Sequence, residues 1–402
     1  MTKHCKEPFN AQNLSNALYG MQSMSSSILE VRTLISALIP KIEECSEAFP
    51  ARGISNALYG VRSMSSSDRE VCQLMTALAA KAQHCQGAFI AQEAGAALYG
   101  LQGLRSDSHE VRQLILALVP KVRGCTTALD ALAVGNALYG MQGMSCDSPE
   151  VRSLLSALTP KVHACDVIFN PQNVGNALYG MQGMKSDCPE VLAMIAALAP
   201  KVRLCEGVFT SQPVRNSLYG MQGMCSSRQE VRMLVWSLLP GVRGCETSFT
   251  DQNVGNSLYG LQGMTTDSRP VQELISLLAV KVKECPDQLS PQGVGNAIYG
   301  MHRMSSDNLN LRALISAVAK KVLECEGVLE AQAASNALYG MQGMSSDCVE
   351  VRSAADRHHE KCTCRNECAR RNECTCRNEC TCQDNRTCQD KCTCHDECVC
   401  LA

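Results

Sequence analysis

The chain of 402 residues sets 37 Lys and Arg against 39 Asp and Glu, a net charge of −2, and is 45% apolar with only 4% aromatic residues. That balance is not the footprint of a strongly basic nucleic-acid binder, and no apolar run approaches the ~18 residues of a membrane span. The start, MTKHCKEPFNAQ, has the pattern of neither a signal nor a transit peptide, so the expectation is an aliphatic and methionine core in a reducing intracellular compartment, away from membranes.

In chain order, the first thing met is a phrase that repeats. A Tyr-Gly pair recurs at Tyr19, Tyr59, Tyr99, Tyr139, Tyr179, Tyr219, Tyr259, Tyr299 and Tyr339, always forty residues apart. Strict self-similarity at such a period is the signature of a stacked repeat architecture. The first half of a unit, taken from Pro171, places Val174, Ala177, Leu178, Met181 and Met184 on one helical stripe. Asn170-Pro171 marks its start as a cap followed by Pro at the first helical position, and Asp130, Thr210, Thr250 and Ser290 share that capping column. Gly20 and its equivalents are expected in mid-helix, where Gly costs roughly 1 kcal/mol against Ala. Repeating that cost in every copy predicts a close helix approach.

The second half opens with Asp147-Ser148-Pro149-Glu150, which resembles a capping box. It continues with Val151, Leu154, Leu155, Leu158 and Val162 on a second stripe. Pro160 is expected to kink or end this helix, as Pro40, Pro120, Pro200 and Pro240 are in their units. Cys45, Cys85, Cys125, Cys165, Cys205, Cys245, Cys285 and Cys325 form a column on the same stripe. One Cys per unit cannot supply four local metal ligands, and the column reads as a small buried hydrophobe. A single hairpin cannot bury its apolar faces, but stacked hairpins can. The expected fold is all-α: an α-solenoid, right-handed, of nine helical-hairpin repeats over residues 5–352, with a Cys-rich irregular tail over 353–402.

Opposite the apolar stripe run amides: Gln12 and Asn16, then Gln172, Asn173 and Asn176, Gln212 and Asn216, Gln252, Asn253 and Asn256, and Gln292 and Asn296. Such side chains read base edges through paired donors and acceptors. They also serve as hydrogen-bonding glue between units. Lysines recur in one column, Lys161 and Lys201 among them, and Arg112, Arg152, Arg232 and Arg312 in another. Either column suits phosphate tracking or a solvated helix face.

The phrase Phe169-Asn-Pro-Gln172-Asn-Val-Gly-Asn176-Ala-Leu-Tyr179 resembles the Phe-x-Pro-Gln-x-x-x-Asn-x-x-Trp signature of octotricopeptide repeats, which share their organisation with FAST-kinase-like, RAP-related RNA proteins. The resemblance implies helical-hairpin solenoids that bind organellar RNA and govern its processing, stability or translation. It also admits a mitochondrial or plastid location if the chain lacks its natural start, as a first residue column falling mid-repeat suggests. This sequence departs from the pattern in having Tyr where the signature has Trp, a period of 40, and reading positions that hardly vary.

No arrangement of catalytic residues stands out: His residues are scattered, and Met181 stands where a phosphate-binding loop needs Lys. The partners expected are single-stranded RNA or another protein as a scaffold, with no small-molecule substrate and no cofactor. The tail is the exception. Cys362, Cys364, Cys368, Cys374, Cys376, Cys380, Cys382, Cys388, Cys392, Cys394, Cys398 and Cys400 resemble the thiolate spacing of metallothioneins and suit Zn²⁺ or Cu(I). Two other readings stay open. Residues 354–361, back-translated and read one base on, permit a sequence matching Leu314–Lys321, so the tail also reads as a shifted-frame repeat; or it is disordered without metal.

Overall fold

The computed structural model describes residues 8–326 and 328–352. They form an all-α array of helical hairpins. The first-half helices are α1 (Ala11–Tyr19), α3 (Ala51–Gly60), α5 (Ala91–Tyr99), α7 (Ala131–Tyr139), α9 (Pro171–Tyr179), α11 (Ser211–Tyr219), α13 (Asp251–Tyr259), α15 (Pro291–Tyr299) and α17 (Ala331–Gly340). The second-half helices are α2 (Leu29–Glu44), α4 (Arg69–Gln83), α6 (His109–Arg123), α8 (Pro149–Ala164), α10 (Pro189–Arg203), α12 (Gln229–Arg243), α14 (Arg269–Glu284) and α16 (Leu309–Glu324).

Each helix packs chiefly on its counterpart one unit away, so the first-half helices make one layer and the second-half helices another. Between the layers runs a continuous aliphatic core in which Val174, Leu178, Val151, Leu154 and Leu155 are almost wholly buried. The caps act as their chemistry dictates: the Asn170 side chain accepts from Asn173 N–H at 2.9 Å and Asp130 from Ala133 N–H at 2.7 Å. Thr250 and Ser290 do likewise, whereas Thr210 makes no side-chain cap.

Four local expectations are corrected or narrowed. The first helix stops at Tyr179, and Gly180 is its cap rather than a mid-helix residue; Met181 and Met184 are buried from the turn that follows. Gly180 has an ordinary helical φ of −64°, so space, not conformation, requires glycine there. A Cβ on Gly180 would fall on the Leu138 carbonyl oxygen, and one on Gly140 on that of Leu98. Of the two outcomes expected at Pro160, a kink or an end, the end is ruled out, since α8 runs on to Ala164. Ser156, whose carbonyl loses its amide partner, lies on the exposed face where water can take over. The cap of α8 is Ser148, and its hydroxyl donates to Glu150 Oε2 at 2.5 Å instead of capping. Finally, Cys45 and Cys165 sit just beyond the second helix as its C-caps, buried, and no disulfide joins the described cysteines.

Candidate nucleic-acid interface

The outward face of the first-half layer carries the predicted amides, but not all of them are presented. Gln12, Gln172, Gln212, Gln252 and Gln292 are exposed, as is Asn16, and Asn176, Asn256 and Asn296 are half-buried. Asn173 and Asn253 are not on this face: both are 7% exposed, at the third position of their helices. Asn173 accepts from Asn170 N–H at 3.2 Å, and its backbone packs on Gly135 of the preceding unit. Asn216 is likewise 5% exposed, covered by Arg215, whose guanidinium donates to it at 2.7 Å. These three are buried, unlike the other predicted amides.

Three of the remaining amide sets bond as pairs one helical turn apart, and none of Gln212, Gln252 and Gln292 does so among the described residues. Gln172 Nε2 donates to Asn176 Oδ1 at 2.7 Å, Gln12 to Asn16 at 3.3 Å and Gln332 to Asn336 at 3.0 Å. Asn16 and Asn176 thus bond within their own helix, not to the neighbouring unit. Each pair keeps the glutamine carbonyl as an acceptor and the asparagine amide as a donor, side by side and facing outward.

Beside the pairs runs a feature that sequence reasoning missed. The nine tyrosines stack into an unbroken ladder, with ring centroids 5.5 to 5.9 Å apart and planes within 21 to 26°. An offset aromatic pair contributes about 0.5–1.5 kcal/mol beyond its buried area, so the ladder helps hold unit to unit. Arg62 caps one ring at 4.4 Å. Burial, and then the neighbouring phenols, push the hydroxyls of Tyr139 and Tyr219 above their ordinary range, which keeps them neutral donors. The signal in the sequence is an aromatic that never varies at one column.

The lysine column is engaged by carbonyls. Lys161 donates to the carbonyl of Cys125 at 2.9 Å, and Lys201 to that of Cys165. Lys81, Lys121, Lys281 and Lys321 reach back in the same way to Cys45, Cys85, Cys245 and Cys285. Each half-buried or buried ammonium therefore binds the chain at or just past the cap of the preceding unit's second helix, beside the helix end that attracts cations. The arginine column clamps its own hairpin turn: Arg112, Arg152 and Arg232 each donate at 2.8 Å to the carbonyl six residues earlier. Where arginine is replaced, a donor is kept at two positions, with Gln272 reaching Thr266 O and Cys72 reaching Ser66 O. A third ladder links the turns themselves, since Ser106 Oγ accepts from Ser145 N–H and Ser186 Oγ from Cys225 N–H, both at 2.8 Å.

Among the described residues no group of three or more His, Cys, Asp or Glu is placed to hold a metal, and no helix is long and apolar enough to cross a membrane. The twelve candidate ligands from Cys362 to Cys400 lie outside the described residues. Comparison with known protein families and with curated proteins returns no match for the chain. What stands is a protein of tandem helical hairpins with a forty-residue period, its two layers tied unit to unit by glycine, lysine, serine and tyrosine columns.

Proposed function

We propose that the chain is a non-catalytic RNA-binding solenoid that holds a single strand along the exposed Gln/Asn face. The observation that carries this reading is the outward donor–acceptor pair, repeated in register with the tyrosine ladder. A helical repeat that presents two or three such side chains recognises one base. Five consecutive units, from Gln172 and Asn176 to Gln332 and Asn336, carry both amides. Asn216 is the covered member of that run, so its glutamine acts alone. The resemblance to octotricopeptide repeats supports the same reading and adds a class of target, organellar RNA undergoing processing or stabilisation. Because the units from Gln172 onward repeat the same two amides, whereas Arg52, Ala96 and Leu132 break the pair in the units before, the target of that run is a stretch of one base.

The lysines and arginines of the two regular columns are occupied by carbonyls, so binding rests on base edges and depends weakly on salt. The test is binding of the chain to the four ribohomopolymers at low and at physiological salt. One homopolymer is expected to bind about tenfold or more better than the rest and to keep most of its affinity at physiological salt. Binding that is equal for all four and lost with salt would reduce the interaction to phosphate attraction. In that case the runner-up, a protein-interaction scaffold, takes its place; the near-neutral charge and the occupied lysines favour it.

A further inference from the structure

In so uniform an array, a place where several columns break together stands out, and one such place lies on the second-half layer, opposite the amide face. The chain's only tryptophan, Trp236, stands on the outer side of α12, where the flanking units have Ala196 and Ser276. Met233 stands one turn before it, and both are substantially exposed. In the next unit Arg269-Pro270 replaces the Pro-Glu pair of α8 and α10. That exchange has a consequence for the serine before it. Ser108 and Ser148 donate to Glu110 and Glu150, but Ser268 faces Pro270, and its buried hydroxyl has no partner.

These departures meet in an open groove of about 690 Å³, a size that suits a small ligand. Arg203, at the end of α10, and Arg269 line it with Trp236, Met233 and Ser268. Neither guanidinium makes a hydrogen bond or ion pair with any described residue, whereas the third arginine there, Arg232, is held by the carbonyls of Ser226 and Ser227. One carboxylate, Asp267, shares the groove, so its net charge is positive.

We propose that this groove binds a free nucleotide, its base stacked on Trp236 and its phosphate held by Arg203 and Arg269. A flat aromatic face accepts any base, and arginine forks match phosphate oxygens. The tryptophan occurs in one unit only, which provides for one base rather than a strand. The site lies on the other layer from the amide face and stands or falls independently of RNA binding there.

Because Trp236 is the only tryptophan, its fluorescence reports on this groove alone. The full chain is titrated with AMP, GMP, CMP and UMP while Trp236 emission is followed. At least one is expected to change the emission saturably. The matching nucleoside without phosphate, and the variant carrying Arg203→Ala with Arg269→Ala, are expected to bind about tenfold or more weakly. Both arginines are exposed, so the variant keeps its fold, and calorimetry on Trp236→Leu is expected to show no binding. No saturable change with any nucleotide at millimolar concentration would overturn the proposal, as would undiminished affinity in the arginine variant. So would emission that responds to an RNA oligonucleotide but to none of the four monophosphates.

Discussion

Gly180→Ala is expected to destabilise the array by about 3 kcal/mol or more, at the upper end of what overpacking costs, whereas Gly20→Ala leaves it unchanged or raises it by about 0.5 kcal/mol. The two glycines occupy the same column, with the same helical φ near −60°. Only their neighbours differ. A methyl on Gly180 must displace the Leu138 carbonyl, which belongs to backbone and cannot swing aside. One on Gly20 would meet nothing nearer than the Ala17 oxygen of its own turn, at 3.4 Å. Urea unfolding of the two variants is the check, with hydrogen exchange at α7 and α9 showing whether the damage is local, as the nearest-neighbour energetics of repeat arrays require. Equal effects from both substitutions would mean that the column serves conformation and not close approach.

Lys161→Met is expected to cost about 1–3 kcal/mol, the range for leaving a buried partner of a charged hydrogen bond unsatisfied, without weakening RNA binding by the folded protein. The ammonium lies at 2.9 Å against the carbonyl of buried Cys125, just past the Gly124 cap of α6. Unfolding and RNA titration of the same variant separate the two roles cleanly. If the residue contacted phosphate, stability would stay put and the affinity would fall together with the salt dependence. The protein contains its own comparison, since Gly241 stands in the lysine's place and the Phe209 ring fills the space where its side chain would begin. The Cys205 carbonyl receives no lysine there, and Cys205 is the one member of its column that is not fully buried. Burial, with Glu206 beside it, still pushes that thiol up to about 11.

The hairpins can be read from the sequence because their determinants are local. Asn170 before Pro171, and the i, i+3, i+4 spacing of Val151, Leu154 and Leu155, act within one helix. What a column faces cannot be read, because the partner lies in the next unit. Lys161 meets a carbonyl 36 residues back, and Ser106 an amide 39 residues on. Nothing within one unit distinguishes a lysine bound to a carbonyl from one facing phosphate; the stacking decides. The same limit explains the amides. Gln172 and Asn173 look alike as neighbours in a string, but one helical position separates an exposed side chain from a buried cap. The glycine column announces a close approach but not its place along the helix, since the steric demand repeats with the unit while the end of the helix is set by the turn after it. Trp236 and Pro270 are visible as breaks once the units are aligned, yet only the packing of α12 beside α14 brings them together.

The most direct test of the proposed RNA interface is the variant in which Gln172, Gln252 and Gln292 are all replaced by Ala. These side chains are exposed and stand clear of the core, and Ala suits a helix better than Gln, so the unfolding midpoint is expected to hold or rise slightly. Affinity for the preferred homopolymer is expected to fall by about tenfold or more, since a side chain paired with a base edge supplies roughly 1–3 kcal/mol. Undiminished RNA affinity after the triple substitution in a fully folded protein would contradict the account.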